Sequence, residues 1–168
     1  MITLEQLLAS RDARAAHQQA LLEAWPGHTL ICLTVQFPGP VKRSASSLVV
    51  GGAAVAALLD EFGADVRYTQ IRDLETGYEA YLLVPLPALQ VKKACCGIED
   101  SHPLGRLMDI DVLASAPPPG RLLDRAAVGL PPRRCLLCDR PARYCMRAHT
   151  HTTEALLRKI DGMVADFA

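Results

Sequence analysis

Asp109 and Asp111 are the residues whose types and spacing most directly suggest chemistry, within Gly105-Arg106-Leu107-Met108-Asp109-Ile110-Asp111-Val112. Residues two apart on a strand face the same side, so these carboxylates can hold one magnesium ion between them. Phosphoryl and nucleotidyl transfer need that arrangement, because the metal neutralises charge developing on a leaving pyrophosphate. An Asp-x-Asp pair is equally at home on the wet side of an edge strand. The neighbours favour the chemical reading: Gly105 lets backbone approach a phosphate, and Arg106 can grip one with two parallel hydrogen bonds. Leu107 should share the face of the aspartates, with Met108, Ile110 and Val112 packing behind. Lys92 and Lys93 lie one element earlier and Lys42 follows the Pro38-Gly39-Pro40 turn; each lysine taken alone reads as a surface residue.

A second group lies near the N-terminus. Leu4, Leu7, Leu8, Leu21, Leu22 and Trp25 recur at helical spacing over residues 3–25, Thr3 can cap the run and Pro26-Gly27 stops it. At about 100° per residue, Arg11, Arg14 and Gln18 project with Leu4, Leu7, Leu22 and Trp25, on the inward face. Glu5, Asp12, Gln19 and Glu23 form the solvated stripe opposite. An unpaired buried charge is costly, so either carboxylates meet the two guanidiniums inside the fold or this face opens onto an anion-filled cleft.

Six cysteines include Cys135, Cys138 and Cys145, followed by His149 and His151. Cys135, Cys138, Cys145 and His151 offer a tetrahedral zinc its ligands; the alternative is a set of small buried hydrophobes. Cys32, Cys95 and Cys96 read as core. With no basic N-terminal leader and no stretch approaching about 20 uninterrupted apolar residues, the chain reads as cytoplasmic and its thiols as reduced. Between Arg133 and Arg147 five arginines (Arg133, Arg134, Arg140, Arg143, Arg147) face one acid, Asp139. They can meet phosphates, an acidic protein face or water. Over the whole chain 18 basic residues balance 18 acidic ones, which argues against a general nucleic-acid or membrane-surface binder working through a broad basic field.

The elements that must position these groups follow from periodicity. Strands are expected at Thr29–Val35, Asp65–Asp73, Tyr78–Val84, Arg106–Leu113 and Arg121–Val128, with Glu75-Thr76-Gly77 closing a hairpin. Further helices are expected at Ser47–Phe62, Ala88–Asp100 and Thr153–Phe167, and Ala116–Gly120 is a proline-rich turn. Half of the 168 residues are apolar, enough for one core, and neither repeat nor linker divides the chain. Local hairpins mixed with helices predict an α+β fold: a single domain with a mixed or antiparallel sheet and packed helices.

The run Ser101-His102-Pro103-Leu104-Gly105-Arg106-Leu107-Met108-Asp109-Ile110-Asp111-Val112-Leu113 resembles the signature of the apo-citrate lyase phosphoribosyl-dephospho-coenzyme A transferases, the citrate lyase holo-acyl-carrier-protein synthases. Ser10-Arg11-Asp12-Ala13-Arg14 with Gln18, Pro38-Gly39-Pro40-Val41-Lys42, Thr76-Gly77-Tyr78-Glu79, and Pro131-Pro132-Arg133-Arg134-Cys135 through Cys138, Cys145, Arg147 and His151 resemble that family in the same order. Tyr78 replaces the proline usual there. The resemblance implies a nucleotidyltransferase-like fold and transfer of the prosthetic group from triphosphoribosyl-dephospho-coenzyme A to a serine of the citrate lyase acyl carrier subunit, releasing pyrophosphate. It implies magnesium on Asp109 and Asp111, with Gly105, Arg106, Lys42, Arg11, Arg14 and Gln18 around the donor. His102 or Glu99 is then the candidate acceptor of the serine proton. Carrier proteins of this kind are acidic around the modified serine, which suits the arginine-rich segment. The alternatives are the same chemistry on the malonate decarboxylase carrier protein, and a non-enzymatic, zinc-stabilised interaction module.

Overall fold

A computed structural model describes every residue except Gln36. Five antiparallel strands form one open sheet in the order β2-β3-β1-β4-β5: β1 is Thr29–Val35, β2 Tyr68–Leu74, β3 Gly77–Val84, β4 Asp109–Ala114 and β5 Arg121–Leu123. Helices α1 (Leu4–Ala24), α2 (Ala45–Phe62), α3 (Ala88–Ser101), α4 (Ala142–Ala148) and α5 (Thr153–Phe167) complete an α+β architecture. Nothing in it singles out a nucleotidyltransferase-like fold.

Register and period two divide the sheet into unlike faces. Ile31, Leu33 and Val35 of β1, Ala80, Leu82 and Val84 of β3, and Met108, Ile110 and Val112 at β4 form the main core with α2, α3 and α5. On the opposite face only one end is apolar, where Leu30, Leu83 and Leu113 meet Leu21 and Leu22 of α1 and Trp25 just beyond it. The rest of that face consists of two polar rows, Arg72-Glu79-Thr34-Asp109 and Gln70-Tyr81-Cys32-Asp111, set by the pairing of β2, β3, β1 and β4.

α1 lies above these rows. Thr3 begins it with a capping box shared with Gln6. Leu4, expected inward, is 71% exposed, because the helix overhangs a polar stretch that its N-terminal apolar residues have nothing to pack against. α2 begins at Ala45, two residues before the expected start, since Ser44 forms a capping box with Ser47. By length and composition α2 could cross a membrane. Its Val50, Ala54, Leu58 and Phe62 instead lie in the main core, the pattern of a central helix.

Other boundaries move for local reasons. Gly63–Asp65 is a 3-10 turn, so β2 starts at Tyr68 rather than Asp65. The strand expected at Arg106 begins at Asp109, because Gly105–Leu107 is another 3-10 turn. Leu107 thus packs into the main core instead of sharing the face of the aspartates. Asp124 caps a third such turn at Arg125–Val128, which ends β5 at Leu123 rather than Val128. α4 was not foreseen; its seven residues carry no apolar stripe.

One buried carboxylate fastens β4. Glu99 of α3, 3% exposed, accepts the Ile110 N–H at 3.1 Å and faces Arg125 and Arg133 at 3.2 and 3.4 Å. Lys92, also expected at the surface, is 5% exposed and donates to the Ile110 carbonyl at 3.2 Å. These side chains therefore occupy the Ile110 peptide groups where β5 no longer pairs with β4. Removing one partner of a buried ionic set leaves the others unpaired, so Glu99→Ala is expected to lower unfolding stability by about 3–5 kcal/mol in chemical denaturation. Exposed Glu5→Ala should change it by no more than about 0.5 kcal/mol.

Candidate active site

The two polar rows, the overhanging part of α1 and the loop leaving β1 define the candidate site. Asp109 pairs in register with Thr34, and Asp111 with Cys32, so both carboxylates stand on the α1 face of the sheet as the spacing required. Asp109 is exposed and Asp111 partly covered. Burial, reinforced by the neighbouring Asp109 charge, pushes the Asp111 carboxyl up to about 6. Two carboxylates held this way repel one another, and a cation between them would relieve the repulsion.

Arg14 and Gln18 reach the sheet from α1. Arg14 meets Glu79 at 3.3 Å, and Glu79, 4% exposed, accepts the Tyr81 hydroxyl at 2.6 Å. Gln18 lies against the Cys32 thiol, whose burial pushes it up to about 12 and leaves it an unreactive thiol. His17, which the sequence reading passed over, binds Gln70 at 2.7 Å and stands edge-on to Tyr81 with a centroid separation of 4.6 Å. Arg72 lies over the same Tyr81 ring. On this β2–β3 flank a groove of about 460 Å³ runs beside Gln6, Ser10, Arg14, Thr76 and Glu79. It is a separate space from the aspartate side and shares Arg14 with it.

Arg11 projects into solvent instead of inward. Its charge and partial burial together pull the Lys42 ammonium below its ordinary value, burial being the larger cause. Lys42 donates to the Phe37 carbonyl at 2.6 Å, which anchors the loop at the end of the sheet where Thr34 and Asp109 lie. Among the described residues no carboxylate forms an ion pair with Arg11 or Lys42. Two adjacent, unneutralised cations at the same end of the sheet as a carboxylate pair suit a polyanion that arrives with a metal ion.

Four other expected site residues are employed elsewhere. Gly105 allows a close approach, but to protein: a Cβ there would stand 2.3 Å from the Glu99 carbonyl oxygen and 2.6 Å from that of Ile98. Arg106 donates to the Arg134 carbonyl. Glu99 is engaged beneath β4. The His102 ring accepts the Leu104 N–H at 3.0 Å and lies tilted against Phe167, and burial lowers its pKa. A turn sequence rich in glycine, arginine and histidine resembles a phosphate site until its tertiary partners are known.

The cysteine segment forms a compact unit of its own. Cys135, Cys138, Cys145 and His151 bring their ligand atoms within 4.8 Å of one another, a group able to hold a metal ion. His149, outside this group, ends α4 in the left-handed conformation at φ 49°. Of the five arginines nearby, Arg133 is consumed by the fold, donating to the carbonyls of Met108, Gly105 and Arg106 at 2.8, 3.2 and 2.8 Å. Arg134 is exposed at 3.9 Å from Asp139. Arg140 stacks over Tyr144, and Arg143 and Arg147 are exposed on α4.

A family profile of apo-citrate lyase phosphoribosyl-dephospho-CoA transferases matches residues 2–167. The apo-citrate lyase phosphoribosyl-dephospho-CoA transferase of Escherichia coli O1:K1 is 39% identical over 168 residues, covering 98% of this chain and 90% of its own. The enzyme of that name from Shigella boydii serotype 18 is 38% identical with the same coverage.

The raised Asp111 carboxyl makes a pH-dependent expectation. The folded state holds this proton more tightly than the unfolded chain, so the group costs nothing below its ordinary value of 3.8 and destabilises progressively as pH rises towards about 6. Asp111→Asn should therefore raise the melting temperature at pH 7.5, and the gain should shrink as pH falls towards 4. A gain independent of pH would show that Asp111 is not the titrating group.

Proposed function

The chain belongs to the apo-citrate lyase phosphoribosyl-dephospho-CoA transferase family, and from that premise we propose that it moves the phosphoribosyl-dephospho-CoA group from triphosphoribosyl-dephospho-CoA to a serine of the citrate lyase acyl carrier subunit. In this reading the serine oxygen bonds to the phosphorus nearest the ribose, the bond to the leaving pyrophosphate breaks, and the serine proton passes to solvent. The observation behind it is the Asp109–Asp111 pair facing α1, with the adjacent cations Arg11 and Lys42 at the end of the sheet where Thr34 and Asp109 lie. Asp109 and Asp111 would hold a magnesium ion, whose charge offsets that developing on pyrophosphate. The mutually repelling carboxylates fit such an ion.

Each remaining group has a task in binding or orientation. Arg11 and Lys42 attract the donor phosphates. Arg14, held by Glu79, presents its guanidinium at a fixed position, and Gln18 contributes an amide at Cys32, the residue opposite Asp111. The nucleophile comes from the carrier, which agrees with a shallow, open site and with an inert Cys32. The six unpaired thiols suit a cytoplasmic enzyme.

The decisive experiment incubates apo carrier with enzyme, magnesium and triphosphoribosyl-dephospho-CoA and weighs the carrier by mass spectrometry. The expected result is a gain equal to the prosthetic group, and an unchanged mass in every condition would refute the transfer. Asp109→Asn and Asp111→Asn should fold yet lose transfer at least about 100-fold, in line with removing a group that stabilises transition-state charge. Undiminished turnover in both would refute the magnesium assignment.

A second expectation concerns the carrier. Arg140, Arg143 and Arg147 are the basic residues of the cysteine segment left free to meet an acidic partner. Charge reversal at Arg140 and Arg143 should slow carrier association and flatten its salt dependence, because rim charges act mainly on encounter. Donor titration without carrier should be unaltered; a large loss of donor affinity would place these arginines at the phosphates instead.

A further inference from the structure

We propose that Cys135, Cys138, Cys145 and His151 bind a structural zinc ion, and that this ion holds residues 133–151 against the base of β4. The geometry is the first argument. A tetrahedral zinc with Zn–S bonds of about 2.3 Å sets its sulfurs on the order of 3.8 Å apart. Here the Cys138 and Cys145 sulfurs are 3.5 Å apart, and all four ligand atoms fall within 4.8 Å. That separation far exceeds the roughly 2.05 Å of a disulfide.

The ligands are also prepared for a cation. Leu137 donates its N–H to the Cys135 sulfur at 3.5 Å and the Cys138 N–H converges on the same atom, as a tight Cys-x-x-Cys turn does around a thiolate. The turn is closed by a short ribbon: Cys135 N–H to the Arg140 carbonyl at 2.7 Å and Ala142 N–H to the Arg133 carbonyl at 2.9 Å. The left-handed His149 then reverses the chain after α4, so that His151 returns to the cysteines. His151 Nε2 is buried without a hydrogen-bond partner. A buried imidazole nitrogen lacking a partner is costly unless it meets a cation.

The third argument is energetic. Between Pro131 and Thr152 the only buried residues are Cys135 and Cys145, both members of the cluster. Leu136 alone in this stretch packs against the main core. Some twenty residues with so little apolar burial resemble the small units that fold around a metal. Four protein ligands close the coordination sphere, which marks a structural rather than a catalytic ion. Three thiols and an imidazole favour zinc over magnesium or calcium, and the thiols release their protons to solvent on binding. Through Arg133, which clasps the carbonyls of Gly105, Arg106 and Met108, the ion would steady the turn that leads into Asp109.

The test needs neither donor nor carrier, so its outcome is independent of the transfer reading. Native mass spectrometry and elemental analysis of protein purified without chelators should find a single zinc per chain. Cobalt substitution should produce thiolate-to-cobalt charge-transfer absorption. Cys138→Ser and His151→Ala, each at a partly exposed ligand, should lose most of the metal while keeping far-ultraviolet dichroism. Chelation should raise hydrogen exchange in residues 133–151 and at Met108 and Asp109, leaving the β1–β3 core protected. Zinc-free protein that takes up neither zinc nor cobalt, a native Cys138–Cys145 disulfide in the intact mass, or zinc retained by the Cys138→Ser/His151→Ala double variant would each overturn the assignment.

Discussion

The carboxylate of Glu99 ties more of the molecule together than any other group. It sits beneath β4, where it accepts the amide between the two aspartates, faces Arg125 from the turn after β5, and meets Arg133 at the start of the cysteine segment. Burial drives its carboxyl upward, opposed by Arg133, the Ile110 amide and Lys92. Such a set is costly to assemble, and hydrophobic residues of similar volume often match its stability. What it adds is position: three chain segments distant in sequence converge on one point behind Asp109 and Asp111.

The sheet turns this fixed point into a site by being unlike on its two faces. Behind it, α2, α3 and α5 form a dry core that holds the strands in register. In front, α1 seals only the end containing Leu30, Leu83 and Leu113, and two polar rows are left under the stretch that carries Arg14, His17 and Gln18. A polar row in a sheet interior requires partners, and Arg14, Glu79, Tyr81, His17, Gln70 and Arg72 supply them to one another. Toward β4 the ion pairing stops, and among the described residues Asp109, Asp111, Arg11 and Lys42 form no salt bridge. The chain is neutral as a whole, yet its charges separate at this edge.

Sequence reading succeeded where the controlling physics is local. The capping box at Thr3, the period-two strands, the hairpin closed at Gly77 and the shared face of Asp109 and Asp111 all follow from neighbours in the chain. It failed where a side chain's task depends on remote partners. Nothing adjacent to Lys92 reveals that it caps a strand 18 residues away. Nor does the composition of the Gly105-Arg106 turn announce its protein contacts, with the Glu99 and Ile98 carbonyls and with the Arg134 carbonyl. Arg133 read as one of five similar arginines until its three carbonyl partners separated it from the rest. α4 escaped because seven residues with little apolar burial leave no periodic signal.

The two readings of the arginines on α1, paired structure or open cleft, prove not to be alternatives. Arg14 takes the carboxylate of Glu79, and that pair allows a charged residue to lie on the inward side. Arg11, one turn nearer the N-terminus, faces solvent beside Lys42. An exposed cation costs little to leave unpaired, so this arrangement need not be offset elsewhere in the fold. The partly buried Asp111 is different, since its ionised form is disfavoured while Asp109 stands beside it. Under the proposed reading a triphosphate entering alone would be attracted by Arg11 and Lys42 and repelled by the aspartates. Only a polyanion accompanied by a divalent cation satisfies both halves of the site, which makes metal and donor binding mutually favourable by linkage.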